Sequence, residues 1–434
     1  MSLPASGHPT SRAFAECMDR DDALRHFHDR FLVPEGVSYL AGNCVGLQPR
    51  RANAYIQEIL SGWGEKGFRA YFTEPDHWLS YEDRYLIEPM ADVIGALPIE
   101  TALMNGLTVN LHLMMTSFYR PIPGRDKILM EDDAFQSDRH AVASQIQMHG
   151  LHAADVIVRV PRSPETSLLD EDQIVSLIEA HGDRIALVLL SNSGFRNGQV
   201  LNMARITEAA HREGCVIGFD LAHAVGNMEL RLHEWGVDFA VWCNYKYMNG
   251  GPGCIGGCFV HERHADASRS RGLRGWWGNR LESRFNFLGS PGFEGSPGAS
   301  GWQVSTPPLL SMAALRASLE IFAEAGMKRL RDKSVRLGNY LQSLIDDRLA
   351  GVCQSLTPRD PEARGCQFTL KFKVDARALQ AWLLERGVVC DAHGQDMIRM
   401  APVPLYNGYA DLHRAVCLIQ DYFDPSRSVD LAAG

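Results

Sequence analysis

The segment DFAVWCNYKYMNGGPG at 238–253 carries an apolar run into a lysine, Lys246, and follows it with a glycine cluster. Upstream, GCVIGFD at 214–220 is a second short apolar run, and it ends in Asp220. Taken singly, a lysine after a strand is a solvated loop residue and an aspartate at a strand end is a turn former. Taken together they are complementary. Both runs read as buried strands of an α/β protein, and ligands in such sheets collect at the strand carboxyl ends, so an amine and a carboxylate arrive at one rim. An amine can hold an aldehyde as a Schiff base, and an anion can keep a pyridine nitrogen protonated so that the ring becomes an electron sink. Those are the two demands of pyridoxal 5′-phosphate (PLP), and Lys246 and Asp220 are expected to meet them.

The elements that must present this pair alternate. Between 170 and 245, EDQIVSLIEAHG, NMARITEAAHREG and LHEWG read as helices, with RIALVLLSN, CVIGFD and FAVWCNY as the strands between and after them. Such alternation implies βα units and a mostly parallel sheet. Upstream, 12–31 holds a polar helical pattern and SYLAGNCVGLQPR at 38–50 a strand and a glycine-rich turn. Residues 51–120 read as mostly helical, including RYLIEPMADVIGAL and TVNLHLMMTSFYRP, and KILMED at 127–132 reads as a strand. Downstream, the Gly/Pro-rich 289–301 reads as a loop, and PPLLSMAALRASLEIFAEAG and MKRLRDKSVRLGNYLQSLIDD as long amphipathic helices. CQFTLKFKV, ARALQAWLLERG, VVCD and MIRMAP then make a compact α+β domain. The expected organisation is a 1–50 segment joining the small domain, a large cofactor domain over 51–310, and connecting helices with the small domain over 311–434. No internal repeat or low-complexity segment is present.

A chain of 434 residues with 45% hydrophobic content can bury a large core. Its formal net charge of −9 argues against nucleic acid or an anionic membrane as the main partner. The local basic cluster RHADASRSRGLR at 263–274 reads as a solvated loop. MSLPASGHPTSR has no apolar signal core, and no uncharged apolar run reaches the roughly 18 residues of a membrane span, so a cytosolic chain is expected. Ten cysteines are scattered without a CxxC pair or a Cys/His cluster at zinc spacing, and they read as reduced core thiols.

TVNLHLMM, FQSDRHA, FDLAHAVGN, EWGVDFAVWCNYKYMNGGPG, GWWGN, STPPLLSMAALRASLEIF and IRMAPVPLYN, in this order over about 38–422, together resemble kynureninase. The resemblance implies the PLP-dependent transferase-like fold (fold type I, aspartate aminotransferase-like, related to class V aminotransferases). That fold has a large domain built on a mostly parallel seven-stranded sheet and a small α+β domain, in a homodimer with a shared active site. It implies hydrolysis of the Cβ–Cγ bond of kynurenine or 3-hydroxykynurenine, giving alanine and anthranilate or 3-hydroxyanthranilate, within tryptophan breakdown and NAD biosynthesis. By position, Lys246 resembles the Schiff-base lysine, Asp220 the partner of the pyridinium nitrogen, and His223 a residue beside the cofactor. Phe135 resembles the aromatic stacked on the pyridine and Asp138 a second acid near the ring, while Leu107 and Thr108 match a phosphate-binding turn at a helix start. Tyr245 and Trp276 match two further phosphate donors, with Tyr245 also the candidate acid/base at the carbonyl. By the same resemblance Thr306 would fall beside the cofactor and substrate ring.

Arg399 matches the residue that grips the substrate α-carboxylate, a task suited to a guanidinium fork. An arginine between Ile398 and Met400 would be costly to bury without an anion, which points the same way. Three positions depart from the family pattern: Arg196 in GFRNGQ stands for a tyrosine, Cys44 in GNCVGLQP for a serine and Asn279 in GWWGN for a histidine. All three lie near substrate or phosphate in relatives, and Glu65 in GWGEKG is also atypical. They keep open a modified kynurenine as substrate. A cysteine desulfurase, β-lyase or transaminase, and a PLP-binding protein without turnover, are further alternatives.

Overall fold

The run IALVLLS offers no polar face, as a strand covered on both sides by other layers requires. In the computed structural model, which describes residues 8–73, 77–266, 272–286, 288 and 292–424, it is one of thirteen strands among those residues. These are β1 (Ser38–Tyr39), β2 (Thr101–Leu103), β3 (Lys127–Glu131), β4 (Ile157–Val160), β5 (Ile185–Ser191), β6 (Val216–Asp220), β7 (Phe239–Cys243) and β8 (Gly256–Val260), then β9 (Cys353–Ser355), β10 (Phe368–Phe372), β11 (Val388–Val389), β12 (Asp391–His393) and β13 (Met397–Met400). Seven form one sheet in the order β2-β8-β7-β6-β5-β3-β4, parallel except for β8. Each face of this sheet is buried in its own apolar cluster: Phe219, Ala240 and Trp242 point to one, Phe239, Val241 and Leu189 to the other. A bulge opposite β3, where Lys127 pairs with Ile185 but Ile128 with Leu187, resets the alternation along β5.

The strand bearing the lysine turn is fixed by its neighbours. Phe239 on β7 lies over Gly218 of β6, where an added Cβ would come within 2.1 Å of the ring, and Trp242 lies over Gly257 of β8 in the same way. Glycine on both flanks lets two large rings pack flat against the sheet. Beyond β7, Trp242 Nε1 donates to Asn244 Oδ1 (3.0 Å) and Asn244 Nδ2 to the Ile255 carbonyl (2.8 Å), closing the turn that carries Tyr245 and Lys246.

A four-stranded antiparallel sheet, β12-β13-β10-β9, packs with helices Met327–Arg348, Ala376–Glu385 and Tyr409–Phe423 into a third apolar cluster. The N-terminal segment meets this part of the chain: β1 pairs in parallel with β11, and Asp19 caps the final helix by accepting the Tyr409 and Ala410 N–H groups (2.6 and 2.9 Å).

Most expected strands and helices appear, and two expectations need correction. LHEWG is a turn, not a helix, because the Leu232 and His233 N–H groups donate to the Ile94 and Gly95 carbonyls (3.2 and 3.1 Å) and leave the backbone only one local turn. β2 interrupts the stretch read as helical over 51–120, a three-residue strand too short for any period to register. β4, β8 and β9 also went unforeseen, β8 because its start is hidden in the glycine cluster. The 289–301 loop reading and the 263–274 cluster lie partly outside the described residues.

Candidate active site

The carboxyl ends of β3, β5, β6 and β7 open onto one cleft, lined by Leu107, Thr108, Phe135, Ser137, Ser191, Ser193, Phe195, Asp220, Ala222, His223, Cys243, Tyr245 and Lys246. Seven sequence candidates are therefore brought together: Leu107, Thr108, Phe135, Asp220, His223, Tyr245 and Lys246. Two helices, Leu107–Phe118 and Gln136–Met148, begin at the cleft, and their first turns touch where Thr108 Oγ1 meets Ser137 Oγ at 2.6 Å. Two helix starts and two hydroxyls offer N–H and O–H donors to one dianion. Phe135, 47% exposed, stands at the start of the second helix with its edge against Phe195.

Lys246 Nζ lies 2.9 Å from His223 Nε2. Burial, with Lys246 and Arg399 nearby, holds the His223 imidazole well below its usual range, so it is neutral and accepts from the amine. His223 Nδ1 is buried with no partner among the described residues, as is Asp138 Oδ1. Burial pushes the Tyr245 phenol up, so the group stays protonated and serves as a donor. The loop after β1 closes over the lysine turn: the Gly46 N–H donates to the Tyr245 carbonyl (2.9 Å), and a Cβ at Gly46 would meet the Lys246 carbonyl at 2.3 Å.

Three acids crowd beneath this cleft. Asp138 and Asp220 share a proton; burial and the Asp220 charge push Asp138 well above the carboxylate range. Burial raises Asp220 too, but the hydrogen bond from Asp138, the Ala222 N–H at 2.7 Å and Lys246 pull it back down. The proton therefore resides on Asp138 and the charge on Asp220, which suits Asp220 to a cationic partner. Glu131, at the end of β3, is fully buried and raised to about 7, chiefly by burial, while its Oε1 accepts the Ser191 N–H (2.9 Å). A carboxyl raised in the fold is a stabilising acid below its unfolded pKa and loses that contribution as pH rises towards 7. Glu131→Gln keeps the acceptor without the charge. Its Tm relative to the parent should therefore climb between pH 5 and pH 8, as thermal melts across that range would record; a constant difference would contradict the assignment.

Arg399 corrects one expectation. Its buried cation has an anion within the chain: Asp391, its cross-strand neighbour, takes Nε and Nη2 at 2.6 and 2.5 Å. Nη1 donates to the Phe195 carbonyl (2.6 Å) and Nη2 contacts Cys44 Sγ (3.6 Å), which places Cys44 at the guanidinium edge a substrate carboxylate would use. Burial and the Asp391 charge raise the Cys44 thiol, Arg399 offsets this only in part, and the thiol stays protonated. Arg196, half-exposed, is also paired: Nη1 donates to Asp133 Oδ2 (2.6 Å), and Asp133 bonds Arg162 on its other oxygen (2.6 Å). Asp391→Asn would free the Arg399 fork to turn, so the KM for an amino-acid substrate should rise about tenfold, or about 1.4 kcal/mol, with kcat within twofold. A lower KM in steady-state assays would show instead that Asp391 competes with the substrate.

Asp138 lies just under the cleft, but Trp276, Asn279 and Thr306 do not line it. Trp276 is 38% exposed and edge-on to Trp277 and Phe285. Asn279 holds its own loop, donating to the Trp276 carbonyl (3.1 Å) and accepting the Glu294 N–H (2.9 Å), and Glu65 is exposed on helix Ala52–Lys66. Sequence reasoning missed Ser137, Ser191, Ser193, Phe195 and Asp391. Ser191 ends β5 as Asp220 ends β6, so the strand-end rule that found Asp220 could have found it.

The C-terminal domain model of kynureninase matches residues 330–419. Over 418 residues the chain is 47% identical to the kynureninase of Myxococcus xanthus, covering 95% of this chain and 97% of that one. It is 46% identical to the kynureninase of Koribacter versatilis, covering 95% and 98%, and 48% identical to that of Xanthomonas campestris pv. campestris, covering 94% and 97%. The chain belongs to the kynureninase family. The solved structures it resembles include the cysteine desulfurase CsdA from Escherichia coli (TM-score 0.75, 17% identity, 93% of this chain and 98% of that one). A C-DES variant with glycine covalently linked to its PLP cofactor is another (TM-score 0.76, 17%, 90% and 98%). At those identities the likeness shows the fold, fold type I, and nothing of the reaction. Membership of the kynureninase family carries the reaction class, an enzyme hydrolysing a C–C bond.

Proposed function

We propose that this chain is a PLP-dependent hydrolase that cleaves the Cβ–Cγ bond of L-kynurenine, 3-hydroxy-L-kynurenine or both, releasing L-alanine and anthranilate or 3-hydroxyanthranilate. The observation that carries the reading is an amine and a carboxylate, Lys246 and Asp220, at the carboxyl ends of adjacent strands in a chain 46–48% identical to kynureninases. The residues fit the cofactor. The unpartnered His223 Nδ1 and the donor set at Thr108 and Ser137 are features that a bound polar ring and a phosphate would complete.

When bound, PLP supplies an electron sink for negative charge on the attached amino acid. Lys246 would hold the cofactor through its amine and would be the group to move a proton at the substrate Cα, with neutral His223 accepting from its Nζ. Asp220, kept ionised by the proton on Asp138, would accept from the pyridine N–H. Phe135 would pack against the cofactor ring, and the starts of both helices with Leu107, Thr108 and Ser137 would donate to the phosphate. Arg399 orients the α-carboxylate at the edge where Cys44 now sits. The Tyr245 phenol donates to the γ-carbonyl oxygen as water adds there.

Trp276, Asn279 and Thr306 are proposed to serve the cleft of a second copy, in a homodimer with shared sites. The exposed aromatic surface of Trp63, Phe68 and Phe72, beside Leu310, supports that arrangement. The boundaries 1–50, 51–310 and 311–434 are retained as the domain proposal, supported by the β1-β11 pairing. No described helix is long and apolar enough to cross a membrane; a place in the cytoplasm, in tryptophan breakdown and in NAD supply completes the proposal. The test is purified chain with PLP and each of the two kynurenines. Alanine and the matching aromatic acid in equal amounts are expected, and neither product from either substrate would overturn the reading. The Arg196–Asp133 pair favours one second reading, a ring-substituted kynurenine, which a substrate panel would reveal as a higher kcat/KM than for kynurenine.

A further inference from the structure

Three segments far apart in sequence meet at the rim of the seven-stranded sheet opposite the cofactor cleft. Glu100 ends the turn entering β2, His261 follows β8, and His233 sits in the turn leading to β7. One carboxylate oxygen and one nitrogen from each imidazole lie within 4.8 Å of one another. Glu100 Oε1 is 3.0 Å from His233 Nδ1 and 3.6 Å from His261 Nδ1, and the two rings stack at 5.2 Å between centroids, 23° apart. We propose that Glu100, His233 and His261 bind one divalent transition-metal ion of zinc type, a structural site separate from the cofactor.

Zinc bound to nitrogen and oxygen at about 2.0–2.1 Å in a tetrahedron sets its ligand atoms roughly 3.3 Å apart, and the two separations at Glu100 bracket that value. The carboxylate is oriented from behind: the Leu97 N–H donates to Oε2 (2.9 Å) and the Glu262 N–H to Oε1 (2.8 Å), the kind of outer support that fixes metal ligands. Glu100 has no solvent exposure and, among the described residues, no Lys or Arg is bonded to it, so a carboxylate there would be buried beside two imidazoles. The His233 side chain is 38% exposed, which leaves an entry path and a water position for the fourth ligand. One contact opposes the site: the Arg263 N–H donates to His261 Nδ1 at 3.2 Å, a long bond that the metal would replace. The ion would tie the entry of β2, the exit of β8 and the turn before β7 together, stabilising the edge of the sheet without touching the reaction.

The test uses the full chain with PLP bound, stripped with chelator and titrated with zinc chloride. One ion per chain is expected, with a Tm rise of about 2–4 °C at saturation. His233→Ala and His261→Ala should each weaken binding at least about 100-fold and abolish the Tm rise. Metal-free His233→Ala should keep the parent's turnover. Glu100→Gln removes a buried group and can fail to fold, so the two histidine variants decide. No stoichiometric binding to the folded parent, or binding that survives both histidine variants and is lost in Cys44→Ser, would overturn the proposal and leave the triad a hydrogen-bonded clamp.

Discussion

Lys246→Ala is expected to lose the visible absorption band of the bound cofactor and to lower kcat at least about 10³-fold. The proposed role gives the amine two functions, the covalent hold on the aldehyde carbon and the proton carried at Cα, the second alone worth roughly 10²–10⁴ in rate. The site also explains why arginine should not rescue. Lys246 sits in a turn closed by Asn244 and pressed by Gly46, with its Nζ 2.9 Å from neutral His223, and a guanidinium keeps the charge but supplies no nucleophilic amine. Absorption spectra and single-turnover kinetics of Lys246→Ala and Lys246→Arg would check this. A variant that keeps its band, or turns over within tenfold of the parent, would remove Lys246 from the chemistry.

Asp220→Asn should lower kcat about 10²–10³-fold, a loss of roughly 2.7–4 kcal/mol of transition-state stabilisation, because an amide cannot hold the pyridine nitrogen protonated. The neighbouring acid shapes this prediction. Asp138 is kept protonated by burial and by the Asp220 charge; without that charge it can ionise and take over part of the task. Asp138→Asn on its own should cost less, and the double variant should fall below the product of the two single effects. Steady-state kinetics of the three variants measure the coupling. Strictly additive effects would show that Asp138 does not share the charge.

The strands that carry the site were legible because each is a short apolar run ending in a residue whose type stands out. RIALVLLSN, CVIGFD and FAVWCNY became β5, β6 and β7, and Asp220 and Lys246 emerged at their carboxyl ends. Tertiary pairings were not legible. Asp391 reads as the polar end of VVCD, and only the antiparallel register of β12 and β13 sets it against Arg399. Asp133 likewise meets Arg196 across 63 positions of sequence. LHEWG has a helix-like composition, yet its first two N–H groups donate to the carbonyls of Ile94 and Gly95, which no local pattern announces. Trp276, Asn279 and Thr306 matched family motifs but do not line the cleft of their own chain, and a motif alone does not say where in space its residues fall.

The central claim is that the cofactor is joined to Lys246 at the carboxyl end of β7 and faces Asp220. Reduction of the PLP-loaded protein with borohydride, followed by digestion and mass spectrometry, tests it most directly. The account predicts one pyridoxyl-phosphate adduct per chain, on the peptide containing Lys246, and none after reduction in the presence of excess competing amine that frees the lysine. An adduct on another lysine, or a loaded protein that yields none, would contradict it.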